Sequence, residues 1–497
     1  MENKFKLEPG SLSLDDIINI LDNNLILELS EDSKTKVDKS SSYVQEKIDS
    51  GDVIYGINTG FGKLASTSIS NENLSQLQHN LVLSHAVGVG DYLDKKIVKL
   101  ILLLKINNLA QGFSGIRGYV IEKLILWFNN DFMPCIPEKG SVGASGDLAP
   151  LAHLSAPLLG YGEVLYKDKK YKAHEALELL GESPIELAAK EGLALLNGTQ
   201  VSTAYAIYSL INLKKLFDSA ITNGALTVIS ANGNLSPFDK LIHKVRKSPE
   251  QLEVATRFYD LIKENQNNEV ARESKDKKKV QDPYSLRCQP QILGAVLQQI
   301  RHCETVLTQE ANGVTDNPLV FVDHNKVLSG GNFHAEPVAF ISDIMAMLIA
   351  EIGNLAERRV AFLVDSNHSN LPAFLINDPG LNSGFMISHV TMSALASENK
   401  AMSMPRSVDT IPTSANQEDH VSMATNAGLR LFGMLENLKD ILAIELLTVI
   451  QAIDFHKSLD EGSYLDKVYK KVRSEIEFVK KDKFLYEDIV KAIKLLD

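Results

Sequence analysis

Apolar residues recur at helical spacing along most of this chain. Leu14, Ile17, Ile18 and Leu21 form a one-sided stripe, and the Ser/Lys/Asp-rich segment after it, 30–42, reads as an exposed surface stretch. Helical signatures follow at 72–88, 94–110 and 115–130, and Pro134 and Pro137 close that set. Beyond about residue 198 the pattern becomes a series of long apolar-periodic runs at 199–217, 248–266, 289–312, 334–364, 387–402 and 418–456. Residues 163–173 (EVLYKDKKYKA) read as a hairpin about a Lys-Asp turn, the one convincing strand pair. The pattern predicts an all-α (mainly α) fold whose long helices run past one another as a bundle.

Composition narrows the possibilities. A length of 497 residues is enough for a large core divided into two or three domains. The 51 Lys and Arg against 63 Asp and Glu give a net charge of −12, which repels phosphate backbones and anionic lipid, so neither nucleic acid nor a membrane is expected as a partner. Charged residues interrupt every apolar run before it reaches the ~18 residues of a membrane helix. The first ten residues carry no apolar run of the secretory kind. Cys135, Cys288 and Cys303 are far apart and form no CxxC pair, which fits a reducing cytoplasm and offers no thiolate metal site. A Lys-rich run at 275–279 reads as a solvated loop.

The chemistry concentrates in Gly-punctuated segments. The loop YGINTGFGKLA has glycines at 56, 60 and 62, where a chain can turn sharply or approach a ligand. The string GSVGASGDLAPLAH, 140–153, superficially resembles a phosphate loop, but no Lys-Ser/Thr follows its last glycine and no strand-Gly-helix unit is evident. Ala144-Ser145-Gly146 suits a different reaction. If the Gly146 nitrogen closes onto the Ala144 carbonyl and Ser145 loses water, the product is an imidazolinone with an exocyclic methylene. Glycine permits the backbone conformation, alanine leaves its carbonyl accessible, and serine supplies a hydroxyl that can be eliminated. Asp147 is placed to orient these groups or relay a proton.

The fourteen-residue string resembles the aromatic amino-acid ammonia-lyase family. YGINTGFG at 55–62, LVLSHAVGVG at 81–90, KEGLALLNGTQ at 190–200, QDPYSLRCQPQ at 281–291, TDNPL at 315–319, GGNFHAEPVA at 330–339 and QEDHVSMA at 417–424 look like its other signature segments, in the family's order. The resemblance implies the aspartase/fumarase-like long-helix bundle, with a smaller N-terminal domain at 1–197 and the bundle domain at 198–497. It implies a 4-methylideneimidazol-5-one made from Ala144, Ser145 and Gly146, no external cofactor, and a homotetramer whose active sites combine several subunits.

By the same resemblance Tyr55 is the catalytic base, Arg287 pairs with the substrate carboxylate, and Tyr284 and Gln281 lie beside it. Asn197 holds the prosthetic group or the substrate's amino end, and Phe333 walls the electrophile. Each has a plainer reading from its residue type alone: a core tyrosine, a surface arginine, a helix-capping asparagine, a core phenylalanine. Two places bear on the substrate. Ser84-His85 is the pattern of the family's histidine-specific members, where others carry Phe-Leu or His-Leu, and His85 can hydrogen-bond an imidazole. Glu418 stands where the phenylalanine and tyrosine enzymes generally have Gln, and a carboxylate can accept from an imidazole N–H. The expectation is elimination of ammonia from L-histidine to give trans-urocanate. The alternatives are a phenylalanine or tyrosine lyase, a 2,3-aminomutase, or a non-catalytic helical assembly protein. No metal site is expected, since Glu418 and His420 two apart on a helix do not share a face.

Overall fold

The computed structural model describes residues 4–60, 62–64, 66–265, 281–456 and 459–496. The Lys-rich run 275–279 lies outside the described residues. The fold is mainly helical, and the chain forms two compact units, each assembled from three separated stretches. The first comprises Met1–Tyr208, Glu304–Asp343 and Pro405–Arg430; the second comprises Ser209–Cys303, Ile344–Met404 and Leu431–Asp497. The expected N-terminal segment, 1–197, falls within the first unit.

In the first unit the helix Lys95–Leu109 is buried from Ile97 to Leu109, its polar Lys99, Lys105, Asn107 and Asn108 included. The Asp94 carboxylate caps it by accepting the Lys96 N–H at 2.8 Å. Three further helices pack on one another: Leu74–His85, Leu148–Ser155 and Glu191–Leu196. Their close approach depends on Gly192, where a Cβ would lie 2.7 Å from the Gln78 carbonyl oxygen. The Gln78 side chain accepts the Leu193 N–H at 3.1 Å and ties two of these helices together. Their ends carry His85, the residues after Gly146, and Asn197.

The hairpin forms as the sequence predicts, with Glu163–Tyr166 antiparallel to Lys169–Lys172 and both turn residues, Lys167 and Asp168, at positive φ. It is not the only strand pairing. Met133–Pro134 extends it, Lys4–Leu7 pairs in parallel with Ile26–Leu29, Val89–Tyr92 with Pro137–Lys139, and Leu319–Phe321 with Lys326–Leu328. Strands of two to four residues are too short for an alternation to register. The segment 30–42 is also regular: it belongs to the helix Glu31–Asp49, capped by Ser30, with Val37 and Ser40 buried.

In the second unit the stretch after 217 continues as helix to Ser230, past Asn223 and Gly224, which locally read as a stop. Tertiary contacts override propensity here. Asn223 is buried and donates to the Leu442 carbonyl at 2.9 Å, and Gly224 lies where a side chain would meet Phe258 and Gln289. The fully buried Arg359 donates to both oxygens of Glu445, at 2.5 and 2.9 Å, and to Gln289 at 3.1 Å. Arg359→Met leaves the Glu445 carboxylate buried without its cation. The expected cost is about 3–5 kcal/mol, read as a lower urea midpoint, with most of it recovered in Arg359→Met/Glu445→Leu.

Among the described residues one helix, Glu336–Val364, is long and apolar enough to cross a membrane, and 67% of its most apolar window is buried inside the protein.

Candidate active site

A cavity of about 800 Å³ opens in the first unit. Ala144 and Ser145 line it, together with Tyr55, Ser84, His85, Asn197, Phe333 and Glu418. The sequence placed these residues together from segments more than 300 positions apart.

The Gly-rich segment reaches the cavity through a backbone that only glycine tolerates at one point. Gly146 has φ +75° and forms a parallel bridge with Gly198, and a Cβ there would overlap the Gly198 carbonyl. The next residue's N–H, that of Asp147, donates to that carbonyl at 2.8 Å. The Asp147 carboxylate is fully buried and accepts from Ser202 N–H (2.8 Å), Ser202 Oγ (2.9 Å), Thr425 Oγ1 (2.6 Å) and Ser141 Oγ (3.0 Å). Burial pushes its pKa above the usual carboxylate range, against the pull of those four donors. Asp147 thereby pins the segment from beneath rather than facing the cavity.

Asn197 closes the helix Glu191–Leu196, its N–H bonded to the Leu193 carbonyl, and its side chain reaches the loop. Asn197 Nδ2 donates to the Ser145 carbonyl at 2.9 Å. Its Oδ1 is buried with no partner among the described residues, an acceptor left over beside the cavity. Asn197 is therefore both a helix end and a residue of the cavity wall.

On the other side of Ser145, its Oγ donates to Glu418 Oε1 at 2.7 Å. Thr413 Oγ1 and Ser414 Oγ hold the other carboxylate oxygen at 2.7 and 2.9 Å. Burial pushes the Glu418 carboxyl up, but the three hydroxyl donors, helped by His85, bring it below its ordinary value. The same burial lowers the His85 pKa, opposed by the Leu81 carbonyl and Glu418, so the imidazole is neutral at pH 7 and can donate or accept. Ser84 Oγ lies 3.0 Å from His85 Nδ1. Tyr55 Oη accepts the Gly62 N–H at 3.3 Å.

This geometry has counterparts in known proteins. Residues 12–474 match the family model described as aromatic amino acid lyase. The chain belongs to the aromatic amino acid lyase family. Among curated members, the histidine ammonia-lyase of Legionella pneumophila (strain Philadelphia 1) is 52% identical over 494 residues, covering 99% of this chain and 97% of its own length. That of Shewanella woodyi is 53% identical over 490 residues, covering 99% and 96%. Among solved structures of the family, the histidine ammonia-lyase of Trypanosoma cruzi superposes with a TM-score of 0.90 at 38% identity, covering 99% of this chain and 92% of its own. The phenylalanine aminomutase of Pantoea agglomerans superposes with 0.93 at 31%, covering 99% and 98%. As a member of this family the chain is a carbon–nitrogen lyase with the long-helix fold.

Three of the family-matched positions do not line the cavity. Gln281, Tyr284 and Arg287 lie in the second unit, where Arg287 donates to the Gln281 side chain at 3.1 Å and to the Asp282 carbonyl at 2.9 Å. The helix Tyr284–Arg287 places the guanidinium 4.7 Å from the Tyr284 ring centre, as the three-residue spacing predicts, and Tyr284 is 70% exposed. They form one polar constellation on a surface.

The sequence reading missed several cavity residues. Asn317, His334 and His420 line it, although TDNPL, GGNFH and QEDH were recognised as segments. The reason for setting His420 aside also fails, because the last long helix begins at Ala424, not 418, and Glu418 and His420 sit in loop. His334, Glu336 and His420 bring donor atoms within 4.8 Å of one another. His334 Nε2 is 3.3 Å from the His420 carbonyl and Nδ1 is 3.8 Å from Glu336 Oε2, which has no hydrogen-bond partner among the described residues.

Proposed function

We propose that this chain eliminates ammonia from L-histidine to give trans-urocanate, with Ala144-Ser145-Gly146 cyclised to 4-methylideneimidazol-5-one. The observation that carries the substrate is the pairing of His85 and Glu418 beside Ser145 in one cavity. A neutral imidazole and a carboxylate can each bond a ring nitrogen of histidine, whereas a phenyl ring would leave both unsatisfied. The high identity to histidine lyases supports the same reading.

The residues present fit the prosthetic group: an Ala-Ser-Gly turn with Ala144 and Gly146 buried and Ser145 at the cavity, positive φ at the glycine and no room for a side chain there. When formed, the group supplies an electrophilic methylene that no side chain offers. The chain does the rest. Tyr55 takes the β-proton, and it needs its phenolate stabilised, for which the Gly62 N–H is one donor. Asn197 Oδ1 is the acceptor for the substrate amine, and its Nδ2 holds residue 145 in place. Phe333 walls the cavity. Arg287 pairs bidentately with the substrate carboxylate, and Tyr284 and Gln281 orient it. No arginine lines the cavity among the described residues, and this reading has Arg287 enter from another copy of the chain, in a homotetramer whose subunits share sites.

The test is the absorbance of the conjugated acid after mixing protein with L-histidine, L-phenylalanine or L-tyrosine. Growth with histidine alone is expected. A β-amino acid product would make the chain an aminomutase, and a phenylalanine or tyrosine product would overturn the pocket reading. Ser84→Phe/His85→Leu is expected to lower kcat/KM for histidine by about 10²-fold, the loss of one or two charge-neutral hydrogen bonds plus a steric block. Unchanged histidine turnover in that variant would remove His85 from the substrate pocket.

A further inference from the structure

Directly behind Asn197 lies a charged side chain that the mechanism does not use. Lys105, on the buried helix Lys95–Leu109, is 0% exposed, and its Nζ donates to the Asn197 carbonyl at 2.7 Å and lies 3.5 Å from Gln200 Oε1. No carboxylate among the described residues forms an ion pair with it. The contrast is close by: the equally buried Lys190 is paired with Asp316 at 2.7 Å. Burial brings the Lys105 pKa down to about 7, with Asp316 and Asp147 opposing and Lys190 adding to the shift.

For the fold alone Lys105 is a poor choice. A buried ammonium without a counter-ion loses hydration that one carbonyl does not replace. It also sits at the start of the helix Gln200–Ser230, the end at which the helix dipole disfavours a cation. A methionine of similar length would fill the space without either cost.

We propose that Lys105 is a positioning residue for maturation of the electrophile, acting through Asn197. This rests on the reading of Ala144-Ser145-Gly146 given above. Cyclisation forms a bond between the Gly146 nitrogen and the Ala144 carbonyl carbon, whose oxygen leaves as water with the hydrogens of the Gly146 and Ser145 amides. A second water carries off the Ser145 Cα hydrogen and the Oγ hydroxyl, leaving the exocyclic methylene. Loss of the Cα proton throws negative charge onto the Ser145 carbonyl oxygen, the atom that Asn197 Nδ2 holds at 2.9 Å. A donor fixed at the site of developing charge lowers the barrier only if it does not have to reorganise. Lys105 fixes it by clamping the Asn197 carbonyl, and its positive charge polarises the same asparagine. The Asn197–Gly198 turn so held is also the one against which Gly146 and Asp147 are seated.

The experiment is a time course of intact mass under denaturing conditions after induction, for the native chain, Lys105→Met and Lys105→Gln, with circular dichroism and thermal unfolding of each. The native chain is expected to become lighter than its sequence mass by the two lost waters. Both variants are expected to fold, with an unfolding temperature not lowered in Lys105→Met, and to lose those waters about 10-fold more slowly. Activity per dehydrated chain should change far less than the dehydrated fraction, which separates maturation from turnover. Folded variants that dehydrate at the native rate overturn the proposal. So does failure of both variants to fold, which would make Lys105 a residue of the fold. A native chain at its full sequence mass would overturn the electrophile reading itself, and this proposal with it.

Discussion

Ser145→Ala is expected to leave L-histidine unconverted. The variant keeps Ala144, Gly146, the Gly198 bridge and the buried Asp147 network, so its fold and unfolding temperature should stay near those of the native chain. What it loses is the β-hydroxyl whose elimination makes the methylene in the proposed cyclisation, and with it the proposed electrophile. The expected fall is several orders of magnitude out of the ~10⁶-fold or more that enzymes supply. Two readouts belong together: absorbance with L-histidine, and intact mass, which should match the sequence mass in the variant and fall short of it in the native chain. Retained turnover in a chain at full sequence mass would remove residue 145 from the chemistry.

The second large effect is expected at Tyr55. Tyr55→Phe preserves the ring in the cavity wall and deletes only the oxygen that accepts the Gly62 N–H. If the phenolate removes the β-proton, kcat falls by about 10²–10⁴-fold while KM for histidine changes little, because the substrate's own anchors are elsewhere. The intact mass of Tyr55→Phe should be that of the native chain, which sets it apart from a maturation defect. A variant with unchanged kcat would move the base to another cavity residue; His334 and His420 are among the titratable residues that line the cavity.

Much of this was legible in the chain itself. The periodicity of 94–110 marks a helix that is then found buried from Ile97 to Leu109, although what encloses its Lys99, Lys105, Asn107 and Asn108 comes from other segments. The Lys-Asp turn of 163–173 is found as a hairpin, since two residues at positive φ suit the twist of adjoining strands. The site segment 140–153 announces itself because its chemistry requires particular residue types side by side. Ser145 is useless without a glycine that can turn onto an unhindered carbonyl, and that requirement is written in three consecutive letters. Tyr55, His85, Asn197, Phe333 and Glu418 were placed by motif, and all line the cavity with Ser145.

Other features depend on partners distant in sequence. The helix that begins at Gln200 continues to Ser230 through Asn223 and Gly224, residues whose local preference is to stop, because Leu442 accepts from one and close packing requires the other. The last long helix starts at Ala424 rather than 418. Thr413 and Glu418 instead bond each other's backbones, and the loop so formed brings a carboxylate to Ser145. Helical spacing in the apolar residues after 424 could not reveal where the polar lead-in stops being helix. The strands of two to four residues were invisible for the same kind of reason, their partners lying up to tens of positions away.

By itself, then, the sequence determined the helical class, the Ala-Ser-Gly tripeptide from which we propose the electrophile is made, and the polar groups that can meet an imidazole, since each follows from residue types that are neighbours or repeat at a fixed period. The tertiary structure decided the environment of those groups. Among the described residues it made Asp147 a buried anchor, left the Asn197 Oδ1 without a partner and set Lys105 behind it without a counter-ion. Burial and hydrogen-bond satisfaction are sums over everything that surrounds a group, and for these residues the surroundings come from segments that only folding brings together.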